Sequence, residues 1–147
     1  MVEKVGLKLI GKNYEDLKVI SAHLQDSIVV VSDMVFLKEN KTFIMIVNRF
    51  MWEDIEKGIF RQGKRIRCAV KFEEVLGVQS QNINQNNKKK SLEYLAIKCG
   101  LNADETYSIK IFFAGNSIIT IMSETIEVFM QDLGKPWQAK HVPLHKI

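Results

Sequence analysis

The feature that most limits what this chain can fold into is a change of hydrophobic rhythm near residue 27. Before it, apolar side chains recur every three or four positions; from Ser27 to Met122 they recur at every second position, and from Ser123 the helical spacing returns. A period of two sends successive side chains to opposite faces of an extended strand, so the middle of the chain reads as sheet. Parallel strands need long crossovers, usually helical, and no helical pattern interrupts residues 27–122. The strands are therefore expected to meander and pair antiparallel.

A leading strand at residues 7–10 precedes Asn13, whose side-chain oxygen can cap a helix, with Asp16 three residues on completing a capping-box-like pair. The helix is predicted over residues 14–25, with Tyr14, Leu17, Ile20, Ser21 and Leu24 on its packed face. Strand runs follow at 28–31 and 35–37, then the polar turn Lys38-Glu39-Asn40-Lys41, then a strand from Thr42 to Phe50. Both faces of that strand are apolar, Phe43, Met45 and Val47 on one and Ile44 and Ile46 on the other. This predicts a central strand covered on two sides, with the helix as one available cover. After a loop at 58–64, Ile66, Cys68, Val70 and Phe72 alternate with Arg67, Ala69 and Lys71 as in a half-buried strand.

Further strands are predicted at 75–79, 92–99, 106–113 and 117–122, with a tight turn at Ala114-Gly115-Asn116. Residues 81–90, in which Ile83 is the single apolar side chain, are predicted to form a mobile loop. Ser123 is predicted to cap a C-terminal helix over about 124–133, with Ile126, Phe129, Met130 and Leu133 as its packed stripe and Gly134 and Pro136 as its stop. The implied fold class is α+β. About seven meandering antiparallel strands form a curled sheet or a pleckstrin-homology-like barrel, with an N-terminal and a C-terminal helix. An open sheet flanked by the two helices is the alternative.

A length of 147 residues is modal for one domain, so residues 1–147 are expected to share one core. Hydrophobic residues at 46% and charged residues at 26% are ordinary globular usage and argue against a disordered or fibrous chain. No apolar stretch approaches the roughly 20 residues that span a bilayer, and the N-terminus lacks a secretory pattern, so a cytoplasmic protein is expected. Cys68 and Cys99 lack Cys-x-x-Cys spacing and fall on apolar strand faces, which predicts reduced, buried thiols. A net charge of +4 permits anionic partners without requiring them.

Four segments carry a resemblance: Ser21-Ala22-His23-Leu24-Gln25-Asp26, Asn48-Arg49-Phe50-Met51-Trp52-Glu53, Phe113-Ala114-Gly115 and Asp132-Leu133-Gly134-Lys135-Pro136-Trp137. Together they resemble the bacterial DUF2948 family of unknown function across most of the chain. The resemblance implies a small free-standing cytosolic protein and brings no activity, ligand or catalytic residue with it.

Candidate chemistry has to come from the residues themselves. His23 lies at the rim of the first helix, with Gln25 and Asp26 closing it; beside Asp26, and with Glu53 as a second carboxylate, it could act as a general acid or base. The competing reading is that Gln25 and Asp26 satisfy backbone groups at the helix exit while His23 faces the negative end of the helix dipole. Arg49 shares the apolar face of Val47 and needs a partner: Glu53, Asp54 or Asp26 internally, or an external carboxylate or phosphate gripped beside Asn48 and Trp52. The internal pair is favoured, as is a packing role for Trp52.

Arg61, Lys64, Arg65, Arg67 and Lys71 form a basic patch that could follow a phosphate backbone. Without interleaved aromatics or a nucleic-acid-binding motif, it reads better as a solvated strand face. His141 and His145 have metal-ligand spacing, but Pro143 breaks the helix that would make it useful, so neither a metal nor a cofactor is expected. The leading functional expectation is a binding or adaptor module. It would take a protein segment or an anionic small molecule at a cleft near His23, Arg49 and Trp52. Catalysis through His23 and weak nucleic-acid binding through the basic strand are the alternatives.

Overall fold

The computed structural model describes residues 7–53 and 63–140. Its elements in chain order are β1 (Lys8–Gly11), α1 (Tyr14–His23), β2 (Ile28–Leu37), β3 (Thr42–Phe50), β4 (Lys64–Phe72), β5 (Val75–Gln81), β6 (Ser91–Leu101), β7 (Tyr107–Phe113), β8 (Ser117–Ser123) and β9 (Val128–Gln138). Among the described residues nine strands form one antiparallel sheet in the order β1-β9-β4-β3-β2-β6-β7-β8-β5, with β1 and β5 at the ends of that order. The chain is thus α+β and rich in antiparallel sheet, as the alternation requires. It is neither a closed barrel nor a sheet with a helix at each end.

The expected C-terminal helix at 124–133 is replaced by β9, which inserts beside β4 and carries β1 on its other side. The error has a physical source. Ile126, Val128 and Met130 already alternate inward, but the next inward position is Asp132. A carboxylate there breaks the apolar pattern and makes the helical spacing of Phe129 and Leu133 look like the better fit. Gly134 and Pro136 stop no helix. They sit in the bulge where the register jumps from Leu133↔Arg67 to Trp137↔Arg65, and Gly134 adopts φ +69 there.

Two other bulges explain breaks in the alternation. The runs 28–31 and 35–37 are one strand, β2, whose register with β3 shifts between Val29 and Met34 and whose core-facing residues pass from odd to even numbers. In β6 a shift between Tyr94 and Ala96 does the reverse, carrying the inward set from Leu92 and Tyr94 to Ile97. β6 also joins the halves of the sheet: its first residues, Ser91 to Glu93, pair with β2, and Tyr94 to Leu101 pair with β7. In the three-residue turn between β7 and β8, Gly115 and Asn116 both have positive φ, which suits a tight hairpin between right-twisted strands.

Inward residues from both halves form one buried cluster, in which Phe43, Met45, Val70 and Phe72 belong with Ile109, Ile111 and Ile121. α1 adds Leu17 and Ile20 to this cluster, its C-cap Leu24 joins them, and the helix packs against β1 and β6. It therefore fills the core instead of covering the outer face of β3. That face, with Ile44 and Ile46 half-buried, is shaded in part by basic side chains on β4 and by Phe129, over whose ring Lys71 Nζ lies at 5.3 Å.

Polar contacts set the seat of α1. The Asn13 side chain accepts from Asp16 N–H, and the Asp16 carboxylate accepts from Lys12 N–H. At the other end Ser21 Oγ lies 2.8 Å from the Tyr94 hydroxyl and accepts from Ile97 N–H at 3.0 Å, while the Tyr94 hydroxyl donates to the Ser21 carbonyl. Burial, offset in part by these bonds, pushes the Tyr94 pKa upward, so it remains a neutral donor. Ser21→Ala leaves the Ile97 N–H without its side-chain acceptor. It is expected to cost about 1–3 kcal/mol, read as a lower urea midpoint with an unchanged slope.

Candidate functional site

The residues that the sequence grouped around Arg49 do come together, but as a filled structural node. Arg49 points inward from β3 and is 0% exposed. Its Nε donates to Asp132 Oδ1 at 2.9 Å, and its Nη2 to Asp132 Oδ2 at 2.7 Å and Glu53 Oε2 at 2.8 Å. Nη1 donates to Glu53 Oε1 at 2.9 Å, with a long contact to the Phe50 carbonyl. All five guanidinium N–H groups are thereby occupied, and none is left for a ligand.

Asp132, with a side chain only 1% exposed, also accepts from Leu7 N–H at 2.7 Å, so the node ties β3, β9 and the start of β1 together. Asp132 falls within the helix predicted over 124–133, where the spacing offers Arg49 no partner. The signal that points to it is a carboxylate at the next alternate position after Val128 and Met130. Glu53 is one of the partners the sequence offered Arg49; Asp54, another, lies outside the described residues.

Electrostatics in the node follow from these contacts. Burial alone would lower the Arg49 pKa, but the hydrogen bonds and charges of Asp132 and Glu53 outweigh it and raise it. Burial would raise the Glu53 pKa, and the Arg49 hydrogen bonds and charge outweigh that and hold it below 4.5. Cys68, packed on the same face, is fully buried, and burial with the nearby Asp132 charge drives its pKa up, making the thiol unreactive. Cys99 is also free and half-buried.

The remaining candidates are engaged locally. His23 Nδ1 donates to the Val19 carbonyl at 2.9 Å, which fixes its tautomer within its own helix. Trp52 Nε1 donates to the Gln25 carbonyl, and its ring packs on Phe50 at a centroid distance of 4.5 Å. Arg65 Nη1 donates to the carbonyls of Asp26 and Asn48, with its guanidinium over the Phe50 ring. Arg67 approaches Asp33 at 3.9 Å and Lys71 pairs with Glu73 at 2.9 Å. Lys64 opens β4, its carbonyl accepting from Met51 N–H. Arg61, His141 and His145 lie outside the described residues. Among the described residues no group of three or more His, Cys, Asp or Glu side chains is placed to hold a metal.

A concave site lies elsewhere, and it shares no residue with that cluster. A pocket of about 480 Å³ opens where the bulged strand β2 faces the edge strand β5. Val31, Met34 and Phe36 of β2, Phe43 of β3, Val78 of β5 and Ile119 of β8 supply apolar walls. Ser32, Ser80, Gln85 and Lys88 supply polar groups, and Lys88 is the one charged residue of the lining.

Of residues 81–90, expected to be a mobile loop, Gln81 ends β5 and the rest dock here. Ile83 packs against the core, and the carbonyls of Lys88 and Lys90 accept from Ser32 and Val31 N–H at 2.9 and 3.0 Å. The bulge in β2 thus presents backbone donors that the loop satisfies, and the loop becomes one wall of the pocket. Its polar composition hid this role, because the docking uses backbone groups and a single apolar side chain.

Taken together, fold and site define a small α+β sheet protein with a sealed ionic node and a separate, partly open apolar pocket. The family model described as "Protein of unknown function (DUF2948)" matches residues 7–145, nearly the whole chain, and the chain belongs to that family. No curated protein and no solved structure is significantly similar to it. Among the described residues no helix is long and apolar enough to cross a membrane.

Two measurements check the node. Arg49→Met strands two carboxylates beside the core and is expected to cost about 3–5 kcal/mol in chemical denaturation. Asp132→Asn in that background should cost less than it does in the parent, a coupling of about 1–3 kcal/mol in a double-mutant cycle. Glu53→Gln is expected to cost about 1.5–3 kcal/mol at neutral pH. Because the folded pKa of Glu53 is depressed, its contribution is full above about pH 4.5 and is lost as the pH falls through the folded value. The stability gap between parent and Glu53→Gln should therefore narrow between pH 6 and pH 3.

Proposed function

We propose that this chain is a single-domain, non-enzymatic binding module of the bacterial cytoplasm, and that its ligand enters the pocket between β2 and β5. The observation that carries this reading is the pocket's make-up. Its volume falls in the range of small-molecule sites, roughly 300–1,000 Å³, with mostly apolar walls and a few convergent polar groups. Its position beside a β-bulge adds support, since bulges recur where a strand is re-aimed next to a site.

The cleft first suggested by His23, Arg49 and Trp52 is not retained. Its arginine is fully committed to Asp132 and Glu53, and its tryptophan packs on Phe50. The same reasoning weakens a proton shuttle through His23 and Glu53, since His23 Nδ1 is turned to the Val19 carbonyl and the Glu53 carboxylate to Arg49. For the basic strand, the contacts of Arg65, Arg67 and Lys71 with the protein itself compete with any phosphate backbone.

The test is titration with a neutral apolar fluorophore, N-phenyl-1-naphthylamine. Saturable enhancement at one dye per chain is expected, and Val78→Phe, which fills the pocket from an edge strand, should remove it while leaving the thermal transition in place. Non-saturating fluorescence, or enhancement indifferent to Val78→Phe, overturns the reading.

A further inference from the structure

We propose that the pocket selects amphipathic anions, an apolar chain terminated by a carboxylate or similar group, with Lys88 as the headgroup contact. This rests on the reading of the pocket as a ligand site and goes on to name the ligand class.

The argument begins with the distribution of polarity. The deep walls, such as Phe43 at 4% and Ile119 at 3% exposure, are apolar, whereas Ser32, Ser80, Gln85 and Lys88 are exposed. A ligand matching this gradient has an apolar body and a polar end that remains near water. The charge of that end follows from the lining, which contains one ammonium and no carboxylate. Asp33, next in sequence to Ser32, lies nearest Arg67 of β4 and is not part of the lining. Lys89 and Lys90 follow on the same exposed loop and reinforce the positive field.

The loop is held in register. The Lys88 carbonyl accepts from Ser32 N–H, so the residue carrying the ammonium is fixed to the strand that forms the pocket wall. Gln85 Nε2 donates to Ser80 Oγ at 3.1 Å, which leaves the Ser80 hydroxyl hydrogen available as a second donor at the mouth. An ammonium and a hydroxyl donor together favour an acceptor-rich headgroup over a neutral alcohol, and the ammonium opposes a cation. Since the ammonium is solvated, the apolar body supplies most of the affinity and the charge supplies the preference.

Three probes of equal chain length separate these contributions below their micelle concentrations: decanoate, decanol and decylammonium, each displacing the neutral fluorophore. At low salt decanoate is expected to bind about two- to fivefold more tightly than decanol, with decylammonium weakest. Lys88→Gln, a surface change, should bring decanoate to the level of decanol and leave decanol unaffected. Added salt should shrink the preference in the parent protein only. Equal affinity for all three probes, or an anion preference that survives Lys88→Gln, overturns the assignment of headgroup and anchor while the pocket reading stands. Failure of every probe and of the fluorophore to bind overturns both.

Discussion

The guanidinium of Arg49 is the constraint around which this sheet is organised. It lies on the core face of β3, and to be there it needs acceptors for all five of its donors. β4 stands between it and Asp132, so the long arginine side chain reaches across one strand to the next. Removing a charge from water costs several kcal/mol, roughly, and only well-aligned carboxylates return it. Register is the consequence: shifting β9 by one residue would turn Asp132 outward and leave the arginine unpaired. The same carboxylate holds Leu7 N–H, so the short edge strand β1 inherits its position from the node.

The node joins the motif-bearing segments around residues 48–53 and 132–137 through Arg49, Glu53 and Asp132. They are brought together to satisfy one another. The aromatic pair Phe50 and Trp52, with Arg65 above Phe50, packs beside the node and closes the neighbouring seam through the Gln25 carbonyl. The proposed ligand site lies where the sheet relaxes its regularity. At the β2 bulge Val30 to Asp33 drop out of the pairing with β3, a loop supplies substitute carbonyls to Val31 and Ser32, and a pocket opens toward β5. A sealed node confers register, and an imperfect ladder leaves room for a ligand.

Much of the architecture could be read directly from the chain. The alternation of Ile66, Cys68, Val70 and Phe72 against Arg67, Ala69 and Lys71, the Asn13 cap, the helix face of Leu17, Ile20 and Leu24, and the Gly115-Asn116 turn all have local causes, and each takes the form those causes dictate. The misreadings share one character. Asp132 broke an apolar pattern because its partner lies 83 residues away, and the Asn- and Lys-rich loop concealed backbone docking that no composition reveals.

Hydrophobic period determined that this would be an antiparallel sheet with an amphipathic helix near its start, since the period of side chains along a backbone is a local property. Tertiary structure alone decided that the segment after β8 is a strand, that Arg49 is sealed and that the open pocket lies between β2 and β5. The reason is that each of these depends on which distant segment arrives beside which. That is settled by satisfying buried charge and backbone donors across the whole sheet, not by the preferences of any one stretch.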